Sequence, residues 1–203
     1  SSSQRLPGKV LLPLANDPMI IFQLKRISRS QKLDKIVLAT SDHSSDDSLS
    51  LVVENEGFSV FRGDLNDVLA RYFYCAKHEN ADIVVRITGD CPFHDPLLID
   101  EIIDAFVLGD WDYLTNCSDE ARLSVPDGFD IEVFRSDLLS DANIHAKLSS
   151  EREHVTPWFR SSQANLKWSH FEHNKIRSYF RLTVDDPADY VVVSKIAALL
   201  GSS

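Results

Sequence analysis

The 203 residues carry a formal net charge of −10, are 43% hydrophobic and include three cysteines. That length suits a single domain around one sizeable core, and the acidic balance argues against broad nucleic-acid binding, which needs a basic surface to displace counterions. Cys75, Cys91 and Cys117 are too few and too scattered for a disulfide framework or a structural zinc site.

The chain opens Ser1-Ser2-Ser3-Gln4-Arg5-Leu6-Pro7-Gly8-Lys9. Hydroxyls at Ser2 and Ser3 donate hydrogen bonds, Arg5 and Lys9 supply charge, and Gly8 lets the backbone approach an anion with no Cβ in the way. Such a loop can hold a polyphosphate, although a serine-rich start also fits an ordinary solvated terminus. Global acidity does not oppose this, because the field inside a cleft depends on its lining.

A helix is expected over Asp17–Arg29, then a strand at Lys35–Thr40, a helix at Ser45–Glu56, a strand at Phe58–Arg62 and a helix at Asp64–His78. Asp82–Ile87 reads as a third strand, and Asp95–Leu108 as a helix with Asp95 as its cap and Pro96 in its first turn. Short β-branched runs alternating with helix-length segments indicate an α/β fold with a largely parallel sheet. Past Gly109 the pattern loosens: a strand at Tyr113–Asn116, a polar loop at Cys117–Pro126, a strand at Phe129–Phe134 and helices at Arg135–Ala146 and Ser149–Ser161. A strand at Tyr179–Val184 and a helix at Ala188–Leu200 close the chain. No apolar run reaches membrane-spanning length and no leader-like segment precedes the first motif, so a cytoplasmic, reducing location without a membrane partner is expected.

Ligands of open parallel sheets sit beyond the carboxyl ends of the strands. Asp90 follows the strand of residues 83–87 at such an end, with Gly89 permitting a close approach; a simple turn cap is its plainer role. Asp185 ends the last strand, and Asp186-Pro187 starts the final helix, where Asp186 suits the N-cap. Two carboxylates from different strand ends can share one hard cation, since Mg²⁺ favours a few carboxylates completed by phosphate oxygens and water. Asp90 and Asp185 are therefore the expected metal ligands. Cys91 beside Asp90 fits a small packed residue better than a reactive thiol. His43, His78, His94, His145, His170 and His173 show no metal-ligand spacing beyond the isolated His170/His173 pair, so zinc is not expected.

Arg5-Leu6-Pro7-Gly8-Lys9, Thr88-Gly89-Asp90-Cys91-Pro92, Pro126-Asp127-Gly128-Phe129-Asp130-Ile131-Glu132-Val133-Phe134, Arg152-Glu153-His154-Val155-Thr156-Pro157 and Leu182-Thr183-Val184-Asp185 stand in the order found in the cytidylyltransferase family. Across essentially its whole length the chain resembles that family, which includes the acylneuraminate and 3-deoxy-manno-octulosonate cytidylyltransferases, and most of all its spore-coat polysaccharide branch. The resemblance implies a three-layer α/β/α, Rossmann-like domain over residues 1–203, of the nucleotide-diphospho-sugar transferase type, with a mixed, mainly parallel sheet. It implies Mg²⁺-dependent transfer of CMP from CTP to a sugar acid, with release of pyrophosphate, for surface polysaccharide or glycan synthesis. Ser2, Ser3, Arg5, Gly8 and Lys9 would grip the triphosphate, Arg5, Lys9 and Asp90 would act at the reacting phosphate, and Asp90 and Asp185 would hold the cation.

Arg62, Asp67 and Arg71, on a strand-to-helix turn, would contact the base. Asp127, Asp130, Arg152 and His154 would face the sugar, although a Pro-Asp-Gly turn and ordinary ion pairing at a helix start fit the same residues. Relatives carry an apolar strand and a further arginine ahead of the serine-rich loop; these residues begin inside the loop, so the domain is expected to lack its first strand. A homodimer paired through the middle third is a further family-level expectation. Two other classes compete: a nucleotide-sugar-dependent glycosyltransferase, against which the Arg5–Lys9 loop speaks, and a non-catalytic nucleotide-binding relative, which the missing strand keeps open.

Overall fold

The computed structural model describes residues 5–117, 125–173 and 180–200. After a 3₁₀ turn at Lys9–Leu11, the two-residue strands β1 (Pro13–Leu14) and β2 (Asp17–Pro18) pair antiparallel and lead into helix α1 (Met19–Ile27). Asp17 was expected inside the helix, but pairing of Leu14 with Asp17 and of Pro13 with Pro18 delays its start to Met19. Strands β3 (Val37–Ser41) and β4 (Ser59–Gly63) run parallel, joined through α2 (Asp47–Asn55), as a crossover connection requires.

Helix α3 (Val68–Glu79) follows. It starts later than Asp64 because the Asp64 carboxylate accepts the N–H groups of Asn66 and Asp67, both at 2.8 Å, forming a turn that Asp67 then ends by capping Ala70 N–H at 2.9 Å. Then come β5 (Ile83–Arg86), α4 (Pro96–Leu108), β6 (Tyr113–Thr115), β7 (Glu132–Arg135), α5 (Leu138–His145), α6 (Ser149–His154), β8 (Trp168–His170) and α7 (Pro187–Leu200). Asp95 caps α4 through Leu97 N–H at 2.9 Å, as its sequence suggests.

The larger sheet has the order β5-β7-β6-β8. Strand β8 is parallel to β6, whereas β7 is antiparallel to both neighbours, so the sheet is mixed. Among the described residues β3 pairs only with β4, and β5 only with β7, which leaves their apolar runs half-buried rather than enclosed.

Three expected elements are corrected. Strand β7 begins at Glu132 instead of Phe129, because the Asn116 side chain takes the ladder's place: its amide donates to Phe129 O at 2.8 Å and its carbonyl accepts Ile131 N–H at 2.7 Å. The single helix expected over residues 149–161 breaks at Val155, which sits at φ 72°, ψ −58° while Thr156 N–H bonds His154 O at 2.9 Å, a strained γ-turn. Residues 180–184 form no ladder; Arg181 makes one isolated bridge to Asp127, and the N–H groups of Leu182 and Val184 go to two different loops, at Asp127 O and Asp90 O, each at 2.8 Å. With its hydrogen bonds divided between two loops, the segment joins none of the described sheets.

Among the described residues three apolar clusters form the interior. One joins α1 and α7 beneath β3 and β4, with Val10, Phe93 and Val184. The second packs α3 and α5 on Phe134, Trp158 and Phe159, whose Phe134 and Phe159 rings lie 5.0 Å apart. The third sets α4 on β6 and β7.

Inside the sheet, the carboxylate of Glu132, only 3% exposed, pairs with Arg86, accepts the Tyr113 hydroxyl at 2.7 Å and the Thr156 hydroxyl at 2.5 Å. Burial by itself would lower the Arg86 pKa, but the charge and hydrogen bond of Glu132, joined by the nearby Tyr72, together outweigh it and raise it. Removing one partner of such a pair leaves an uncompensated buried charge, so Glu132→Ala should lower unfolding stability by about 3–5 kcal/mol. Tyr113→Phe removes one hydrogen bond and should cost only about 1 kcal/mol. Urea unfolding of both variants checks the ordering, and equal losses would show that the ion pair is not the dominant contact.

Candidate active site

Gly8 adopts φ 69°, the left-handed region open to glycine, and this starts the Lys9–Leu11 turn that sends the Lys9 side chain inward. Lys9 is 7% exposed, and its ammonium donates to Val184 O at 2.7 Å, Asp90 Oδ2 at 2.9 Å and Asp185 Oδ1 at 3.1 Å. The two aspartates expected to share a cation therefore do share a positive charge. Burial would raise the Asp90 carboxyl, but the hydrogen bond and charge of Lys9, with further hydrogen bonds from Thr88 and the backbone, together hold it below the ordinary carboxylate range.

The opposite oxygen of Asp185, Oδ2, faces Arg5 at 3.3 Å and also pairs with Arg181. Arg181 is anchored three ways, reaching Asp127 Oδ2 at 3.1 Å and Asp189 Oδ1 at 2.6 Å as well. Thr183 donates its hydroxyl to Asp127 Oδ1 at 2.9 Å, so the Pro-Asp-Gly turn is fastened to the segment carrying Asp185. Gly128 is at φ 105°, and a Cβ there would lie 2.8 Å from the Leu182 carbonyl carbon. This position requires glycine for both conformation and space.

The loop bearing Asp90 is held from the other side by Gln23 of α1 and by His94, just ahead of α4. Gln23 donates to Thr88 O at 2.7 Å and Cys91 O at 2.9 Å. Fully buried His94 places Nδ1 2.7 Å from Cys91 O and Nε2 3.0 Å from Asp130 O, linking the Asp90 loop to the approach of β7. Asp130 has its carboxyl pushed up to about 6, first by burial and then by the charges of Asp127 and Glu132.

Other expected ligands lie in contacts of their own. Arg62 donates to Ser41 O and His43 O, both at 2.9 Å, and pairs with Asp47 at 2.7 Å; Arg71 donates to Asp64 O at 2.6 Å. Both therefore line the carboxyl ends of β3 and β4. Arg152 and Asp67, assigned from sequence to the sugar and the base, are each other's partners, and Arg152 also donates to Asn143 O at 3.0 Å and Asn143 Oδ1 at 2.9 Å. His154 is exposed at the end of α6. Ser2 and Ser3 lie outside the described residues.

Arg181, Thr183, His94 and Gln23 were not singled out as site residues by the sequence. Thr183 belongs to the Leu182-Thr183-Val184-Asp185 motif and Arg181 immediately precedes it, but their shared partner Asp127 is more than fifty residues away. Among the described residues no three His, Cys, Asp or Glu side chains converge as a metal cage. A cation at Asp90 and Asp185 would need oxygens from substrate and water, the coordination Mg²⁺ favours. Among the described residues no helix is long and apolar enough to cross a membrane.

The cytidylyltransferase family model matches residues 1–197. The spore coat polysaccharide biosynthesis protein SpsF of Bacillus subtilis is 36% identical over 197 residues, covering 93% of this chain and 79% of that protein. The 8-amino-3,8-dideoxy-manno-octulosonate cytidylyltransferase of Shewanella frigidimarina is 31% identical over 109 residues, 51% of this chain and 43% of that one. A solved cytidylyltransferase from Leptospira borgpetersenii superposes with a TM-score of 0.90 at 34% identity, covering 97% of this chain and 82% of the other, which shows the nucleotide-diphospho-sugar transferase fold. With the ordered motifs, the paired aspartates and a match across nearly the full length in agreement, the chain belongs to the cytidylyltransferase family.

Proposed function

We propose that the protein transfers CMP from CTP to a hydroxyl of a sugar acid and releases pyrophosphate, in the synthesis of a surface polysaccharide or glycan. The observation that carries this reading is the meeting of Asp90 and Asp185 on one buried positive charge. That geometry, with Val184 O as a third oxygen, fits a divalent cation such as Mg²⁺, which when bound neutralises charge on the phosphoryl oxygens. Asp90 and Asp185 would hold it.

Arg5, whose side chain is 66% exposed beside Asp185, would meet an arriving phosphate. In-line displacement at the α-phosphate needs alignment and charge neutralisation more than covalent help. The Asp127 turn, fastened by Arg181 and Thr183, would present acceptors to sugar hydroxyls beside that phosphate. Arg62 and Arg71, at the ends of the parallel pair, would receive the base.

The direct test is pyrophosphate release by the full-length protein with Mg²⁺, each of four nucleotides and a panel of sugar acids. Release with CTP and a sugar acid is expected, and release with UTP or GTP but not CTP would overturn the nucleotide assignment. Asp90→Asn should reduce turnover by at least about a hundredfold while unfolding stays cooperative; an unimpaired rate would remove Asp90 from the site.

The Asp130 carboxyl supplies a pH test. Its folded pKa of about 6 exceeds the ordinary 3.8, so its contribution to stability is fully present below 3.8 and is lost as pH rises through 6. Asp130→Asn should therefore melt at a higher temperature than wild type at pH 7.5, with the difference closing by pH 4. Thermal melts at both values check this, and a gap that persists at pH 4 would refute the titration.

A further inference from the structure

An ammonium group has three N–H donors, and Lys9 has three oxygens within hydrogen-bond distance: Val184 O, Asp90 Oδ2 and Asp185 Oδ1. In this arrangement it has no donor left for a phosphate, and it occupies one carboxylate oxygen of each aspartate. While Lys9 holds these contacts it cannot capture a phosphate, and a cation cannot take the two carboxylate oxygens that face each other across it.

From this we infer that Lys9 is an internal counter-ion that a divalent cation displaces, so that loading of the cation releases the lysine for the triphosphate. The inference rests on the proposed cation site at Asp90 and Asp185.

The surroundings favour Lys9 as the group that leaves. Arg181 is tied to Asp127 and Asp189 as well as to Asp185, so it keeps Asp185 Oδ2 oriented when Oδ1 is vacated. Lys9 sits instead on a four-carbon stem at a short turn, and a Cβ placed on neighbouring Gly8 would meet nothing within 4 Å. On the other face of Asp185, Oδ2 keeps Arg5, whose side chain is 66% exposed, as a second positive charge when the ammonium leaves Oδ1. Exchanging one cation for another at the same oxygens also avoids leaving two facing carboxylates uncompensated. Coupling is reciprocal by linkage, so nucleotide and cation must each tighten the other's binding by the same factor.

The test reads metal binding directly. Free Mn²⁺ is measured by electron paramagnetic resonance during titration of the full-length protein without nucleotide. Lys9→Met should bind Mn²⁺ about 5–150-fold more tightly than wild type, the usual span of such couplings, and Lys9→Arg, which keeps the charge, should not show the gain. Adding Asp90→Asn to Lys9→Met should abolish it. Equal Mn²⁺ affinity in wild type and Lys9→Met, at a site weakened by Asp90→Asn, would overturn the displacement while leaving the cation site intact. Absence of any Asp90-dependent Mn²⁺ binding, with or without a non-hydrolysable CTP analogue, would overturn the cation site and the displacement together.

A second measurement needs no variant. Lys9 is buried and should resist acetylation by an amine-directed reagent in the metal-free wild-type protein, and Mn²⁺ should increase its labelling several-fold as read by mass spectrometry. Unchanged labelling at saturating Mn²⁺ would overturn the proposal.

Discussion

The organisation of this site depends on one buried ammonium. Lys9 draws in an aspartate 81 positions away and another 176 positions away, together with the carbonyl of Val184. A charge removed from water is tolerated only where opposite charge and hydrogen bonds surround it. The three segments are consequently fixed against one another, and the backbone bond from Val184 N–H to Asp90 O, at 2.8 Å, repeats the same connection without any side chain. Fold and candidate chemistry meet at this point, because the contact that closes the amino-terminal turn onto the domain also aligns the carboxylates.

The acidity of the chain takes on a local meaning around that contact. Asp90, Asp127, Asp130, Asp185 and Asp189 gather near the ends of β5 and β7, and Lys9, Arg5 and Arg181 are distributed among them. Each basic group has a different partner set. Lys9 bridges Asp90 to Asp185, Arg181 bridges Asp185 to Asp127, and Arg5 remains largely open to solvent. Asp130 lacks a basic partner among these contacts and alone shows a strongly raised carboxyl. The balance of charge is set pair by pair, and net charge says nothing about it.

How far the sequence revealed this depends on the range of the interaction. Strands β3 and β4, the Asp95 cap and the position of Asp90 beyond β5 follow from β-branched runs, cap residues and turn glycines, all local signals. The run at residues 180–184 has the composition of a strand yet lacks a ladder, because its N–H groups are claimed by Asp127 and Asp90, which no local pattern encodes. Asn116 displacing the start of β7 is the same kind of event, as is Arg152 finding Asp67. Ordered motifs brought Asp90, Asp127 and Asp185 forward, but the arginine and threonine that connect them were legible only once the chain had folded.

The break at Val155 shows how a motif can be specified by what surrounds it. A β-branched residue at φ 72° is sterically unfavourable, costing about 1–3 kcal/mol, and such a conformation persists only when neighbouring contacts over-determine it. Here Val155 is fully buried, Thr156 is bonded to Glu132, and Trp158 and Phe159 are packed into the second cluster. On the other side Arg152 is clamped to Asp67 and Asn143. The turn cannot relax into a continuous helix without breaking one of these attachments. Since Glu132 also neutralises Arg86 at the end of β5, the Arg-Glu-His-Val-Thr-Pro segment is bound to the strand that presents Asp90. Its physical role in this structure is to brace that strand end, a contribution independent of whether Arg152 or His154 ever touches a substrate.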